Sequence, residues 1–164
     1  MKLTETKELK ICPFKSLYYI NGKSDGKTIA IICSSQKIHE TNLQFLDDYI
    51  IFRVTDGLDE TFPLAFSYIH GMKIRNFLDS NSDYKRLYVC CDSGESRSTA
   101  LAAAIMKYYG LSDMKIWRNP YYHPNRLVYK KQMQAFGKRV SKFKLKYLHY
   151  ISENALRLKI KAAK

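Results

Sequence analysis

Two short apolar runs rich in β-branched residues constrain the fold more than any other feature. Thr28–Ser35 (TIAIICSS) and Tyr49–Thr55 (YIIFRVT) show little polar–apolar alternation, so both faces of each strand need covering. Strands of that kind belong inside a parallel sheet. Arg86–Cys91 (RLYVCC) reads as a third. Between them, Pro63–Leu78 places Leu64, Phe66, Ile69, Met72, Ile74 and Phe77 at helical intervals, with Pro63 suited to a first turn. The Ala-rich segment Ser98–Tyr109 reads as a helix closed by Gly110. Turns are expected at Asn21–Gly26 (NGKSDG), Asp56-Gly57 and Asp79–Asp83. Strands alternating with helices imply an α/β fold with a mostly parallel central sheet flanked by helices. Beyond Trp117, NPYYHPN (119–125) is a loop, and Phe136, Val140, Phe143, Tyr147 and Ile151 recur as one amphipathic helix.

A chain of 164 residues is expected to form one domain over 1–164, ending in a basic helical segment from about 127. Hydrophobic and charged fractions of 46% and 26% are those of a soluble globular protein, so disorder is not the default expectation. No apolar run approaches a membrane-spanning length, and Met1–Lys10 lacks the apolar core of a signal peptide. Cys12, Cys33, Cys90 and Cys91 have neither zinc-knuckle spacing nor a disulfide-framework pattern, which suits reduced thiols in a cytoplasmic protein. His39, His70, His123 and His149 form no triad or metal spacing, so no metal and no cofactor is expected. The net charge of +13 implies an anionic partner. Residues 130–164 hold 11 Lys or Arg against the single acid Glu153. A solvated outer helix face accounts for that segment, with nucleic-acid binding through it as the alternative.

The stretch Cys91-Asp92-Ser93-Gly94-Glu95-Ser96-Arg97-Ser98 lies between a strand and a helix, at the carboxyl end of the strand where α/β sheets bind ligands. Backbone amides of residues 92–97, curled at a helix N-terminus, form a nest for an anion. Gly94 allows the backbone angle such a curl needs, and Arg97 offers a two-pronged donor matched to phosphate oxygens. A cysteine facing that field is favoured as thiolate, the nucleophilic form. The parts describe a phosphate pocket with a nucleophile at its floor, suited to phosphoryl transfer to sulfur followed by hydrolysis.

This stretch resembles the C-x5-R-S/T signature loop of the cysteine-dependent protein tyrosine phosphatases, in the C-x-A/S-G-x-S-R-S form of the dual-specificity branch. The resemblance extends over roughly residues 28–110. It implies that Cys91 is the nucleophile, that Arg97 clamps phosphate together with the amides of Asp92, Ser93, Gly94, Glu95, Ser96 and Arg97, and that Ser98 assists the departing thiolate. A phosphate or sulfate is expected in the loop. The implied activity is hydrolysis of phosphomonoesters, protein phosphotyrosine or phosphoserine/threonine foremost. A phosphate-binding pseudophosphatase, or an RNA 5′-phosphatase or phosphoinositide phosphatase, is the alternative. The family usually has His before the nucleophile; Cys90 stands there instead.

Such enzymes need an acid for the departing oxygen, usually an Asp about 30 residues upstream. Asp56 and Asp59 lie in the loop after YIIFRVT, at the carboxyl edge of the sheet, and Asp56 is preferred. Asp47, Asp48, Asp79 and Asp83 enter strands and belong to the opposite edge. Pro124-Asn125-Arg126 resembles a motif whose Asn braces the phosphate loop in bacterial relatives, with a plain turn as the other reading.

Overall fold

The computed structural model describes residues 4, 7–20, 25–39 and 43–162. Four strands form one sheet: β1 (Glu8–Pro13), β2 (Thr28–Ser34), β3 (Asp48–Arg53) and β4 (Arg86–Cys91). Their spatial order is β1-β4-β2-β3, and every pairing is parallel. The three apolar runs are therefore strands of the type their composition requires. The turn expected at Asn21–Gly26 falls mostly outside the described residues. β1 was not anticipated. Its alternation of Glu8 and Lys10 with the apolar Leu9 and Ile11 is the pattern of a half-exposed edge strand, which six residues near a charged terminus signal only weakly.

Among the described residues, a 3-10 helix (Phe14–Tyr19) and five α-helices complete the fold: α1 (Tyr68–Ser80), α2 (Arg97–Tyr108), the single turn α3 (Met114–Trp117), α4 (Arg126–Ala135) and α5 (Lys142–Ala162). Because strand side chains alternate, the sheet has two apolar faces. Ile29, Ile31, Leu87 and Val89 pack beneath α1, α2 and α4 in the larger core. Ala30, Ile32, Tyr88 and Cys90 face a smaller one, covered by Phe14, Leu17, Leu43 and Leu46.

Two helix expectations are corrected. The helix read over Pro63–Leu78 begins only at Tyr68, because Ser67 and His70 form a reciprocal cap: Ser67 N–H donates to His70 Nδ1 at 3.0 Å and His70 N–H donates to Ser67 Oγ at 3.5 Å. Upstream, Leu64 adopts a φ of +56°, and Thr55 donates to Leu64 O and Pro63 O, so residues 55–64 close on themselves as a loop. The single helix read through Phe136 and Ile151 is two. Phe136 caps α4, Gly137 follows at φ +75°, and α5 starts afresh at Lys142. Its inward face is Leu145, Leu148 and Ile151, while Phe143 and Tyr147 point to solvent. The 3–4 spacing that links Phe136 to Phe143 crosses a break and carries no helical meaning.

Behind the sheet, Asp113 is buried and accepts hydrogen bonds from Trp117 Nε1 at 3.1 Å and Tyr129 OH at 2.8 Å, tying α3 to α4. Asp113→Ala leaves two buried donors without an acceptor and is expected to destabilise the protein by about 3 kcal/mol. A lowered midpoint in urea at an unchanged denaturant slope would show this; a midpoint shift below about 0.5 kcal/mol would show that water substitutes for the carboxylate.

Candidate active site

Parallel pairing brings the carboxyl ends of all four strands to one edge, and the segment 91–97 curls there between β4 and α2. Cys91 is in register with Pro13 on one side and Cys33 on the other, and its side chain is buried at the base of the curl. Gly94 N–H donates to Cys91 Sγ at 3.2 Å, and Ser98 Oγ lies 3.1 Å from the same sulfur. Both contacts place a polar group against the sulfur at the start of α2. Gly94 has φ +77°, and a Cβ there would lie 2.6 Å from Pro13 N and 2.7 Å from Cys12 C, both backbone atoms. No other residue fits this position without moving β1 or the loop.

Arg97 opens α2 and is only 4% exposed. Its Nη1 donates to Val54 O, and its Nη2 donates to Asp92 Oδ2 at 2.6 Å. Nε is buried and makes no hydrogen bond among the described residues. Asp92 enters through more than its amide. Its carboxylate also accepts from Ser34 Oγ, from Ser35 Oγ at 2.7 Å and from Ser35 N–H at 3.2 Å. Burial works to raise the Asp92 pKa, but the hydrogen bonds from Ser34, Arg97 and Ser35 prevail and hold it at about 2. Sequence reasoning missed this carboxylate. The available signal was the Ser34-Ser35 pair ending a buried strand, two hydroxyls in need of an acceptor.

The remaining loop residues stabilise its shape. Ser93 Oγ accepts from Glu95 N–H at 3.3 Å, and Glu95 O accepts from His123 N–H at 2.9 Å. Ser96 precedes α2, and its hydroxyl donates to Asp56 Oδ1 at 2.8 Å. Asp56 is thereby placed against the loop, with Oδ1 also accepting from Asn125 Nδ2 at 2.7 Å. Asp59 is turned elsewhere, accepting from Thr61 N–H at 2.9 Å. Asp47 and Asp48 lie at the opposite edge: Asp47 accepts from Thr28 N–H, and Asp48 from Asn81.

Asn125 does more than form a turn. It is buried, donates to both Asp56 and Gly57 O, donates its N–H to Ser96 O at 3.3 Å, and accepts from Val128 N–H as the cap of α4. The 91–97 loop, the 55–64 loop and α4 meet at this one side chain. Beside it opens a cleft of about 270 Å³ lined by Asp56, Ser96, His123, Asn125 and His149.

Cys90 points to the opposite face of the sheet, where its sulfur lies 3.4 Å from Cys12 Sγ. All four cysteines are free thiols. The hydrogen bond from Cys90 lowers the Cys12 pKa against the opposing effect of burial, and burial raises that of Cys90. Burial also pushes the Cys33 thiol far up, so it stays protonated although it flanks Cys91. Among the described residues no group of His, Cys, Asp and Glu is arranged to hold a metal ion, and no helix is long and apolar enough to cross a membrane.

The depressed Asp92 pKa has a definite pH signature. A carboxylate held below its unfolded value contributes stability that is complete above about pH 4 and is lost as pH falls toward 2. Asp92→Asn is therefore expected to flatten the fall of stability over pH 4 to 2 while lowering it at neutral pH. Parallel stability–pH curves for the two proteins in that window would contradict the hydrogen-bond assignment.

No family model matches the chain, and no curated protein matches it. Among solved structures it is similar to the core catalytic domain of the PP-IP phosphatase SIW14 from S. cerevisiae, in complex with citrate: 10% identity, TM-score 0.47, covering 98% of this chain and 91% of that one. It is also similar to Tk-PTP in its active form, at 13% identity and TM-score 0.42, covering 92% of this chain and 94% of that one.

Proposed function

We propose that the protein is a cysteine-dependent phosphatase that hydrolyses phosphomonoesters, with phosphotyrosine or phosphoserine/threonine in proteins as the first class to test. The observation that supports this most directly is the Cys91 sulfur at the base of a loop, 3.2 Å from Gly94 N–H and 3.1 Å from Ser98 Oγ, with the buried Arg97 on the same loop.

The proposed steps follow from these positions. Cys91 Sγ attacks phosphorus as thiolate, and the phosphorus–ester oxygen bond breaks. Arg97 Nε and the amides at the start of α2 stabilise the charge on the transferred phosphoryl group, as preorganised donors that need no rearrangement. The departing oxygen takes a proton from Asp56. Oδ1 of Asp56 is held by Ser96 and Asn125, and Oδ2, which has no partner among the described residues, is the atom that carries the proton. Asp56, now a carboxylate, draws a proton from a water that attacks phosphorus. The P–S bond breaks, and Ser98 Oγ stabilises the returning thiolate.

Turnover of an aryl phosphate by the purified chain is the test. Cys91→Ser is expected to abolish it, and Arg97→Lys to lower it by about 10² or more with folding retained, because one ammonium cannot hold Val54 O and Asp92 and also reach the phosphoryl group. Full activity in Cys91→Ser would sink the reading, and phosphate binding without turnover in the wild type would select the pseudophosphatase.

The acid has its own test. Asp56→Asn is expected to lose a factor of about 10² to 10⁴ on phosphotyrosine, whose oxygen leaves poorly, and far less on an activated aryl phosphate. Asp59→Asn is the matched control and should be close to wild type. A silent Asp56 with a crippled Asp59 would move the role along the loop.

A further inference from the structure

A second cleft, of about 410 Å³, lies next to the one beside Asp56, and Leu58 and Arg126 line both. Leu58, Leu127 and Leu145 give it an apolar wall, and Arg126, Lys130, Lys142 and Lys146 surround it. Its two acids are engaged: Glu60 pairs with Lys131 at 2.7 Å and with Lys130 at 4.0 Å, and Asp59 accepts from Thr61 N–H. Arg126, Lys142 and Lys146 form no ion pair among the described residues.

The cations are placed where helices disfavour them. Arg126 is the first residue of α4 and Lys142 the first of α5, and neither helix has an acid in its first turn. Helix N-termini already carry partial positive charge, so unpaired cations there add repulsion. An anion in the cleft relieves this repulsion, because three side chains without an ion pair among the described residues line it.

We infer that this cleft is a second phosphate subsite, so that the preferred substrate carries a second phosphate group besides the one removed at Cys91. This rests on the phosphatase reading above. Leu58 and Arg126 line both clefts, so the two are neighbours and a molecule long enough to pass these side chains reaches both. Asp59 and Glu60 belong to the same loop as Asp56, so a phosphate seated here also fixes the loop that carries the acid. The second phosphate can belong to a small organic bisphosphate or to a doubly phosphorylated peptide, and the chemistry recognised is the same.

The test compares kcat/KM for monophosphates and bisphosphates of linear alkanediols of graded length, and, in a second arm, for a phosphotyrosine peptide with and without a second phosphoresidue at graded spacing. At least one spacing in one arm is expected to exceed its monophosphate partner by about tenfold. That ratio should fall to near one in Lys142→Gln/Lys146→Gln. Lys115→Gln/Lys144→Gln, which removes the same charge away from the cleft, should keep it. The arm that shows the excess identifies the source. No excess in either arm, or an excess that survives Lys142→Gln/Lys146→Gln, overturns the inference. If the wild type hydrolyses no phosphate ester, the parent reading fails separately. The subsite is then judged by calorimetry with the Cys91→Ser protein: tighter binding of a bisphosphate that depends on Lys142 and Lys146 upholds it, and binding equal to the monophosphate overturns it.

Discussion

A guanidinium that is 4% exposed organises the carboxyl edge of this sheet. An ion taken so far out of water costs several kcal/mol unless its donors are met. Arg97 meets this by donating to the last carbonyl region of β3, at Val54 O, and to Asp92 on its own loop. Asp92 needs its remaining lone pairs filled and takes them from Ser34 and Ser35 at the end of β2. One buried charge therefore ties the ends of β2, β3 and β4 to the start of α2. The loop's curve is held by the protein's own hydrogen bonds, which is what electrostatic preorganisation requires. Nε makes no hydrogen bond among the described residues and lies 3.9 Å from Asp56 Oδ1, and it is the donor the proposed chemistry uses.

The second organising element is a helix cap. α4 needs an acceptor for its first free amides, and Asn125 supplies it through Oδ1 to Val128 N–H. An amide side chain has two further donors, and here both turn to the 55–64 loop, at Asp56 and Gly57 O. The same residue's N–H reaches Ser96 O. A local requirement of helix formation thus fixes the distance between the proposed acid and the proposed nucleophile. The loop from Thr55 to Leu64 can stay non-helical because its ends are held in this way and by its own turn bonds.

The buried strands and the signature loop were legible because each is a dense local pattern. Ile29–Ile32 and Leu87–Val89 read as interior strands, and Cys91 to Ser98 gathers a thiol, a glycine and an arginine at a strand–helix bend within eight residues. Distinguishing Asp56 from Asp59 needed the third dimension, since three residues along a loop change which group faces Ser96. The role of Asp92 was hidden for the same reason: Ser34 is 58 positions away, and the Ser34-Ser35 pair by itself names no partner. Periodicity failed where it crossed Gly137, because a 3–4 spacing persists through a helix break that one glycine makes. Pro63 misled in a similar way. Its fixed φ suits a first turn, yet the Ser67–His70 cap, which is stronger locally, sets the start five residues later.

Cys90 shows how strand alternation divides labour between neighbours. Adjacent residues of β4 point to opposite faces, so Cys91 meets the loop while Cys90 meets Cys12 in the smaller core. A thiol there has no contact with the loop and cannot order it as a histidine would. The loop's order comes instead from above the sheet: from Asp92 between Arg97 and the two serines, from Ser98 and Gly94 at the sulfur, and from Pro13 packed where Gly94 lacks a Cβ. Those contacts arise from four separate elements, so the loop's shape depends on the whole sheet edge and no single neighbour of Cys91 decides it.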